Sequence, residues 1–149
     1  MRLSSPAFED GEHMPEKYGN TTENVNPPLE IRDVPEEAES LVLIMDDPDA
    51  KEPAGKIWEH WTVWNIPTNK SEIPEDWNPK KAVEGMTDFR DTGYGGPNPP
   101  DGTHTYRFQL YAIDTELDLD EEAGKEEVLE AVEGHVVEKT LLQGKFDPL

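Results

Sequence analysis

Apolar and polar positions along the chain fall into a few sharply different patterns. The run LVLIMDD, Leu41 to Asp47, is continuously apolar until it ends in carboxylates. That pattern predicts a strand buried on both faces and emerging at an acidic rim. The run WEHWTVWNIP, Trp58 to Pro67, is aromatic and β-branched and predicts a second central strand closed by proline. Strict alternation puts Trp58, His60, Thr62 and Trp64 on one face and Glu59, Trp61, Val63 and Asn65 on the other. HTYRFQLYAID, His104 to Asp114, alternates in the same way, with His104, Tyr106, Phe108 and Leu110 sharing a face. Helical spacing recurs only in GKEEVLEAVEGHVVEK, where Val128, Leu129, Val132 and Val136 predict a helix around Lys125 to Lys139. TLLQGKF then predicts a last strand.

Proline sets the limits elsewhere. Pro6, Pro15, Pro27, Pro28 and Pro35 leave room before Glu39 only for short extended pieces such as RLSSPAF and PLEI. Residues 68 to 92 form a long connection with one short strand near KAVEGM, and a connection of that length usually has a function. Several strands with one late helix predict a mainly β fold: an antiparallel Greek-key sandwich carrying one C-terminal helix, as a single domain over residues 1 to 149.

Charge changes the picture of possible partners. The 13 basic and 34 acidic side chains give a net charge of −21, which disfavours nucleic acid and anionic membrane as partners. Acids spread along the whole chain are tolerated best where salt screens their repulsion, so a salt-rich cytoplasm is expected. The absence of cysteine removes disulfides, thiolate nucleophiles and zinc-thiolate sites. No stretch is long and apolar enough to span a bilayer, and the first residues lack the apolar core of a signal peptide, so the expected location is cytoplasmic.

Reactive groups gather in three places: the acidic turn with Asp46, Asp47 and Asp49, the strand bearing Trp58 and His60, and the loop from Gly93 to His104 with Tyr106 just beyond. Each lies near a predicted strand end, and loops at one end of a sandwich cluster. Gly95 and Gly96 can turn successive N–H groups inward as an anion nest, with Pro97, Pro99 and Pro100 limiting the loop. His60 and His104 are placed to donate to the same anion, and Asp47 to fix a histidine tautomer. The plainer readings stand beside this one: a Gly-Gly before prolines is commonly a turn, a strand histidine is commonly structural, and Trp61, Trp64 and Phe108 are core. A metal site built from both histidines with Asp47 or Glu59 has no supporting ligand spacing, and Ser4, Ser5, Ser40 and Ser71 lack a nucleophile-elbow context. No metal and no cofactor are expected.

Taken together, DPDA at Asp47 to Ala50, WEHWTVWNIP, and GYGGPNPPDGTHTYRF at Gly93 to Phe108 resemble the phosphatidylethanolamine-binding protein family, in its bacterial and archaeal branch of Raf-kinase-inhibitor-like proteins. LSSPAFEDGEHMPEKY, NPPLEI and EGHVVEKTLLQGKF extend the resemblance over nearly the whole chain. It implies a β-sandwich with an end pocket that accepts phosphate-like groups. By motif it carries over Asp47, Trp58 and His60, the glycine-proline loop at Gly95, Gly96 and Pro97, and His104 with Tyr106, supported by Asp49. Relatives in this branch are often homodimers, and particular ones act on kinases or proteases through their own surfaces.

The sequence departs from that pattern at Lys51, where proline is usual, at Asn98, where close relatives often carry cysteine, and at Thr105, which replaces the usual arginine and so removes a partner for Asp49. Three functions are then in play. The first is non-enzymatic binding of a small anion or phosphorylated ligand, with Trp58 able to meet an ammonium group. The second is hydrolysis of a small ester or phosphoester by His60 or His104. The third is inhibition or scaffolding of a protein partner, kinase-like or other, through residues 68 to 92 or the acidic surface.

Overall fold

A computed structural model describes all 149 residues. Eight strands form two antiparallel sheets. The smaller sheet has the order β1-β2-β5, from Arg2–Ser4, Leu29–Arg32 and Glu72–Ile73. The larger comprises β3 (Ser40–Asp47), β4 (Trp58–Ile66), β6 (Val83–Glu84), β7 (His104–Ile113) and β8 (Val136–Phe146), in the order β6-β4-β3-β7-β8. Its run β7-β3-β4-β6 is the strand order of a Greek key.

β3 is buried along its whole length because it has packed layers on both sides. Leu41, Leu43 and Met45 join Leu29, Ile31, Trp61, Phe108 and Leu142 in the core between the sheets. Val42 and Ile44 point the other way, into a second core with Trp64, Ile113, Leu117, Val128 and Val132. That outer core is capped by α2, Lys125–Val132. The prediction of two buried faces holds, but the acidic rim is itself buried: neither Asp46 nor Asp47 is exposed.

The helical content differs from the expected single C-terminal helix in two ways. The turn after β3 continues as a one-turn helix, α1, Lys51–Ala54, closed by Gly55 in the left-handed conformation at φ 79°. α2 stops at Val132 and not near Lys139, because Gly134 turns left-handed at φ 82° and the chain from Val136 onward pairs with β7 from Ile113 to His104. Val136 therefore opens a strand.

β4 departs from strict alternation at two bulges. Met45 pairs with Trp61 but Asp46 pairs with Glu59, which leaves His60 as the extra residue on β4. A second shift lies between Leu41 and Leu43, beside Asn65 at φ 56°. Trp61, Val63 and Ile66 consequently enter the inter-sheet core, whereas Trp64 enters the outer one. The expected grouping of His60 with Thr62 and Trp64 is thus corrected: the bulge at His60 breaks the period and turns its ring toward Tyr106.

Candidate functional site

Antiparallel pairing places the end of β3 beside the beginnings of β4 and β7. Asp47 from the first, Trp58 and His60 from the second, and His104 and Tyr106 from the third therefore meet at one end of the sandwich. They line a cavity of about 220 Å³, completed by Ala50, Pro53 and Ala54 around α1, by Phe89, and by Asn98, Pro99 and Pro100. That volume lies below the range of about 300 to 1,000 Å³ usual for larger organic ligands.

Asp47 organises the acidic turn. Its Oδ1 accepts from the amide of Asp49 at 2.9 Å, capping the 3₁₀ turn Pro48–Ala50. Its Oδ2 accepts from His104 Nδ1 at 2.6 Å. The other ring nitrogen of His104, Nε2, lies 2.8 Å from Asp101 Oδ1. Burial opposes a charge on this imidazole, but the hydrogen bonds to the two carboxylates outweigh it and hold the His104 pKa above its ordinary value.

His60 is the opposite case. Its Nδ1 lies 2.6 Å from the carbonyl oxygen of Gly95, which fixes Nδ1 as the protonated nitrogen. Burial pushes its pKa down, against the smaller pull of the hydrogen bond to Gly95 and then of Asp47 and other carboxylates. Tyr106 stands between the two imidazoles, edge-on to His60 at 5.1 Å and tilted against His104 at 6.3 Å. Its hydroxyl is buried without a hydrogen-bond partner. Burial first, and the neighbouring Asp47 second, raise the phenol's pKa, so it stays protonated. Phe89 forms an aromatic wall against Trp58 at 5.7 Å and His60 at 5.3 Å.

The glycine-proline loop has a different role from the anion nest expected of it. Gly95 donates its N–H to the backbone oxygen of His60 at 2.8 Å, and Gly96 donates to Asn24 Oδ1 at 2.7 Å. Both amides are spent, and Gly95, Gly96 and Pro97 are absent from the cavity lining. Neither glycine is left-handed. They are glycines for close approach: a Cβ at Gly95 would come 2.3 Å from the Phe89 ring, and one at Gly96 would come 2.1 Å from the Tyr18 carbonyl. Pro97 accepts from the Asn20 amide at 2.8 Å, so the loop clamps His60 on one side and the N-terminal segment on the other.

Strand alternation sends Asp46 to the far face, where it receives Arg107 at 2.7 and 2.8 Å and Lys125 at 2.8 Å. It takes no part in the cavity. Asp49, deprived of an arginine by Thr105, is held instead by the Thr105 backbone amide at 2.8 Å. Sequence reasoning missed Phe89, α1 and Asp101. Phe89 lies in a connection without periodicity, and Asp101 is three residues before His104 in a loop dominated by glycine and proline.

A Greek-key sandwich with a histidine-flanked pocket at one strand end defines the class of the protein, and comparison with known proteins gives the family. Residues 4–147 match the family model described as phosphatidylethanolamine-binding protein. The chain belongs to that family. A UPF0098 protein of Methanothermobacter thermautotrophicus is 45% identical, with 98% of each chain covered, and one of Chlamydia trachomatis is 39% identical over 99% of each. The crystal structure of a phosphatidylethanolamine-binding protein homologue from Chlamydia trachomatis superposes with a TM-score of 0.90 at 39% identity, covering 97% of this chain and 95% of that one. Escherichia coli YbcL, described as a member of the mammalian family, gives a TM-score of 0.91 at 28% identity, covering 99% and 98%. The expected salt-rich cytoplasm is not borne out by these relatives. No helix is long and apolar enough to cross a membrane.

Proposed function

We propose that the end pocket binds a small anion or phosphorylated group, and that the protein is a non-enzymatic binding module. The observation that carries this reading is the small cavity of about 220 Å³ walled by His60, His104 and Tyr106, of a size for a group such as phosphate and below that usual for larger organic ligands. The family's description as phosphatidylethanolamine-binding points to the same chemistry, a phosphoryl group with an ammonium nearby, and Trp58 offers the latter an aromatic face. The lining contains no serine, threonine or cysteine. In the hydrolase reading His60 or His104 would therefore act without a hydroxyl or thiol nucleophile beside it.

The test is a titration of the protein with inorganic phosphate and with phosphoethanolamine, following the imidazole resonances of His60 and His104 by NMR. Both sets of signals move if the reading is right. Unmoved imidazoles at saturating ligand reject it. Hydrolysis of small esters that disappears in His60→Ala favours the enzymatic alternative.

A further inference from the structure

The connection from β4 to β6 builds a second hollow, at the other end of β4 from the pocket. After β4 the chain turns at Pro67, with the Lys70 amide donating to the Pro67 carbonyl oxygen at 3.1 Å. It then crosses to the smaller sheet as β5 and returns as β6, where Val83 pairs with Trp64. Lys70 lies on the way out, and Lys80 and Lys81 lie on the way back. Return of the chain to the same strand therefore gathers all three around Trp77. With Pro67 and Asn78 they border a cavity of about 360 Å³, within the range usual for organic ligands. The nine residues of β4 separate it from Trp58, about 25 Å of strand.

Its walls are exceptional for this chain. Acidic side chains outnumber basic ones 34 to 13, yet no carboxylate lines this cavity. Elsewhere Lys17, Arg32, Lys56, Arg107 and Lys125 each pair with an acid, whereas Lys70, Lys80 and Lys81 form no ion pair. Lys70 holds its ammonium 5.4 Å from the centre of the Trp77 ring, and that ring packs at 83° to the buried Trp61. Buried Asn26 pins the loop beneath: its Oδ1 accepts from the Trp77 amide at 2.8 Å, and its Nδ2 donates to the Pro74 carbonyl oxygen at 2.9 Å. Trp77 is thus held in place by the fold itself, which lowers the cost of ordering the site around a ligand.

Independently of the end pocket, we propose that this cavity is a second ligand site, which binds a small organic polyanion of the nucleoside diphosphate kind. Its charged groups pair with Lys70, Lys80 and Lys81, and its flat apolar part lies along Trp77 and Pro67. Three ammonium groups converge on one hollow without a counter-charge from the protein, and the ligand supplies it. The size of the partner follows from the surrounding charge. At physiological ionic strength fields fade over about 8 Å, so a small ligand senses chiefly these lysines. An acidic protein or a nucleic acid also lays its charges over the carboxylates of a chain at −21, which repel it.

The experiment follows the indole N–H signals of the four tryptophans of the full chain by NMR while ADP, adenosine or inorganic diphosphate is added, with Trp77→Phe identifying the Trp77 signal. We expect ADP to move the Trp77 signal and to bind at least about threefold more tightly than adenosine or diphosphate alone. Replacing the exposed Lys80 and Lys81 together, Lys80→Gln with Lys81→Gln, should weaken ADP binding about tenfold. An unmoved Trp77 signal, movement confined to Trp58, or affinity in the double variant within about twofold of the parent overturns the proposal. Diphosphate binding as tightly as ADP overturns the contact of the flat part with Trp77 and Pro67. Phosphate in the end pocket is read separately, by the imidazole signals of His60 and His104, and stands or falls apart from these outcomes.

Discussion

Asp47 and His104 form a buried pair, with Nδ1 2.6 Å from Oδ2 and both side chains at most 5% exposed. The pair joins the end of β3 to the start of β7 across the floor of the pocket. Charge on His104 is therefore tied to the fold and not only to a ligand.

Replacing Asp47 by Asn should lower the His104 pKa and cost about 1 to 3 kcal/mol of stability. The sign with pH follows from the raised His104 pKa. Its stabilisation is fully present below the unfolded value of about 6.5 and is lost as pH rises through the higher folded value. Urea unfolding of both proteins across this range should show the gap between them widest on the acid side. A gap that grows with alkaline pH would contradict the assignment.

The two pocket histidines should titrate on opposite sides of the ordinary value. His60 has a lowered pKa, so it costs stability as pH falls below about 6.5, where the unfolded chain takes up the proton more readily. Imidazole NMR titration of the ligand-free protein reads both values at once. Coincident titrations near the ordinary value would remove the electrostatic asymmetry of the site.

Gly96→Ala should destabilise the protein by about 3 kcal/mol or more, because the added Cβ meets a backbone carbonyl that cannot move cheaply. Gly95→Ala should instead displace Phe89 and weaken ligand binding as well as folding. Chemical denaturation separates the two. A stable Gly96→Ala protein that has lost only anion binding would restore the nest reading.

The side chain of Asp101 is 56% exposed and holds His104 Nε2 from the solvent side. Asp101→Asn should leave stability within about 0.5 kcal/mol of the parent, lower the His104 pKa, and strengthen phosphate binding by removing a negative charge from the mouth. Weaker phosphate binding in this variant would show that the carboxylate assists the ligand.

With a net charge of −21, the folded chain should gain stability from salt. Melting in molar KCl should exceed melting in dilute buffer by at least about 4 °C, near 1 kcal/mol for a chain of this size. Equal values would show that the carboxylates are already locally compensated.

Much of this site was legible before the structure. The alternation of HTYRFQLY put His104 and Tyr106 on one face because β7 runs ten residues without a bulge in that stretch. The periodic rule failed on β4 because a bulge at His60 is a property of its pairing with β3, invisible in β4 alone. The glycines of GYGG stand beside the cavity without lining it. Their need for space arises from Phe89 and Tyr18, residues distant in sequence, and nothing in GYGG distinguishes close packing from a nest. The end of α2 was likewise decided by the β7 ladder, which claims Val136 from a pattern that suits a helix equally well. Asp101 acquired its role only when folding brought it to His104.

The central claim, that the pocket at the end of β3 holds a phosphoryl group, is tested most directly by a crystal structure of the protein at saturating inorganic phosphate. We expect a tetrahedral anion in the cavity, in contact with His60, His104 and Tyr106. Well-ordered walls around a cavity without the anion would contradict it.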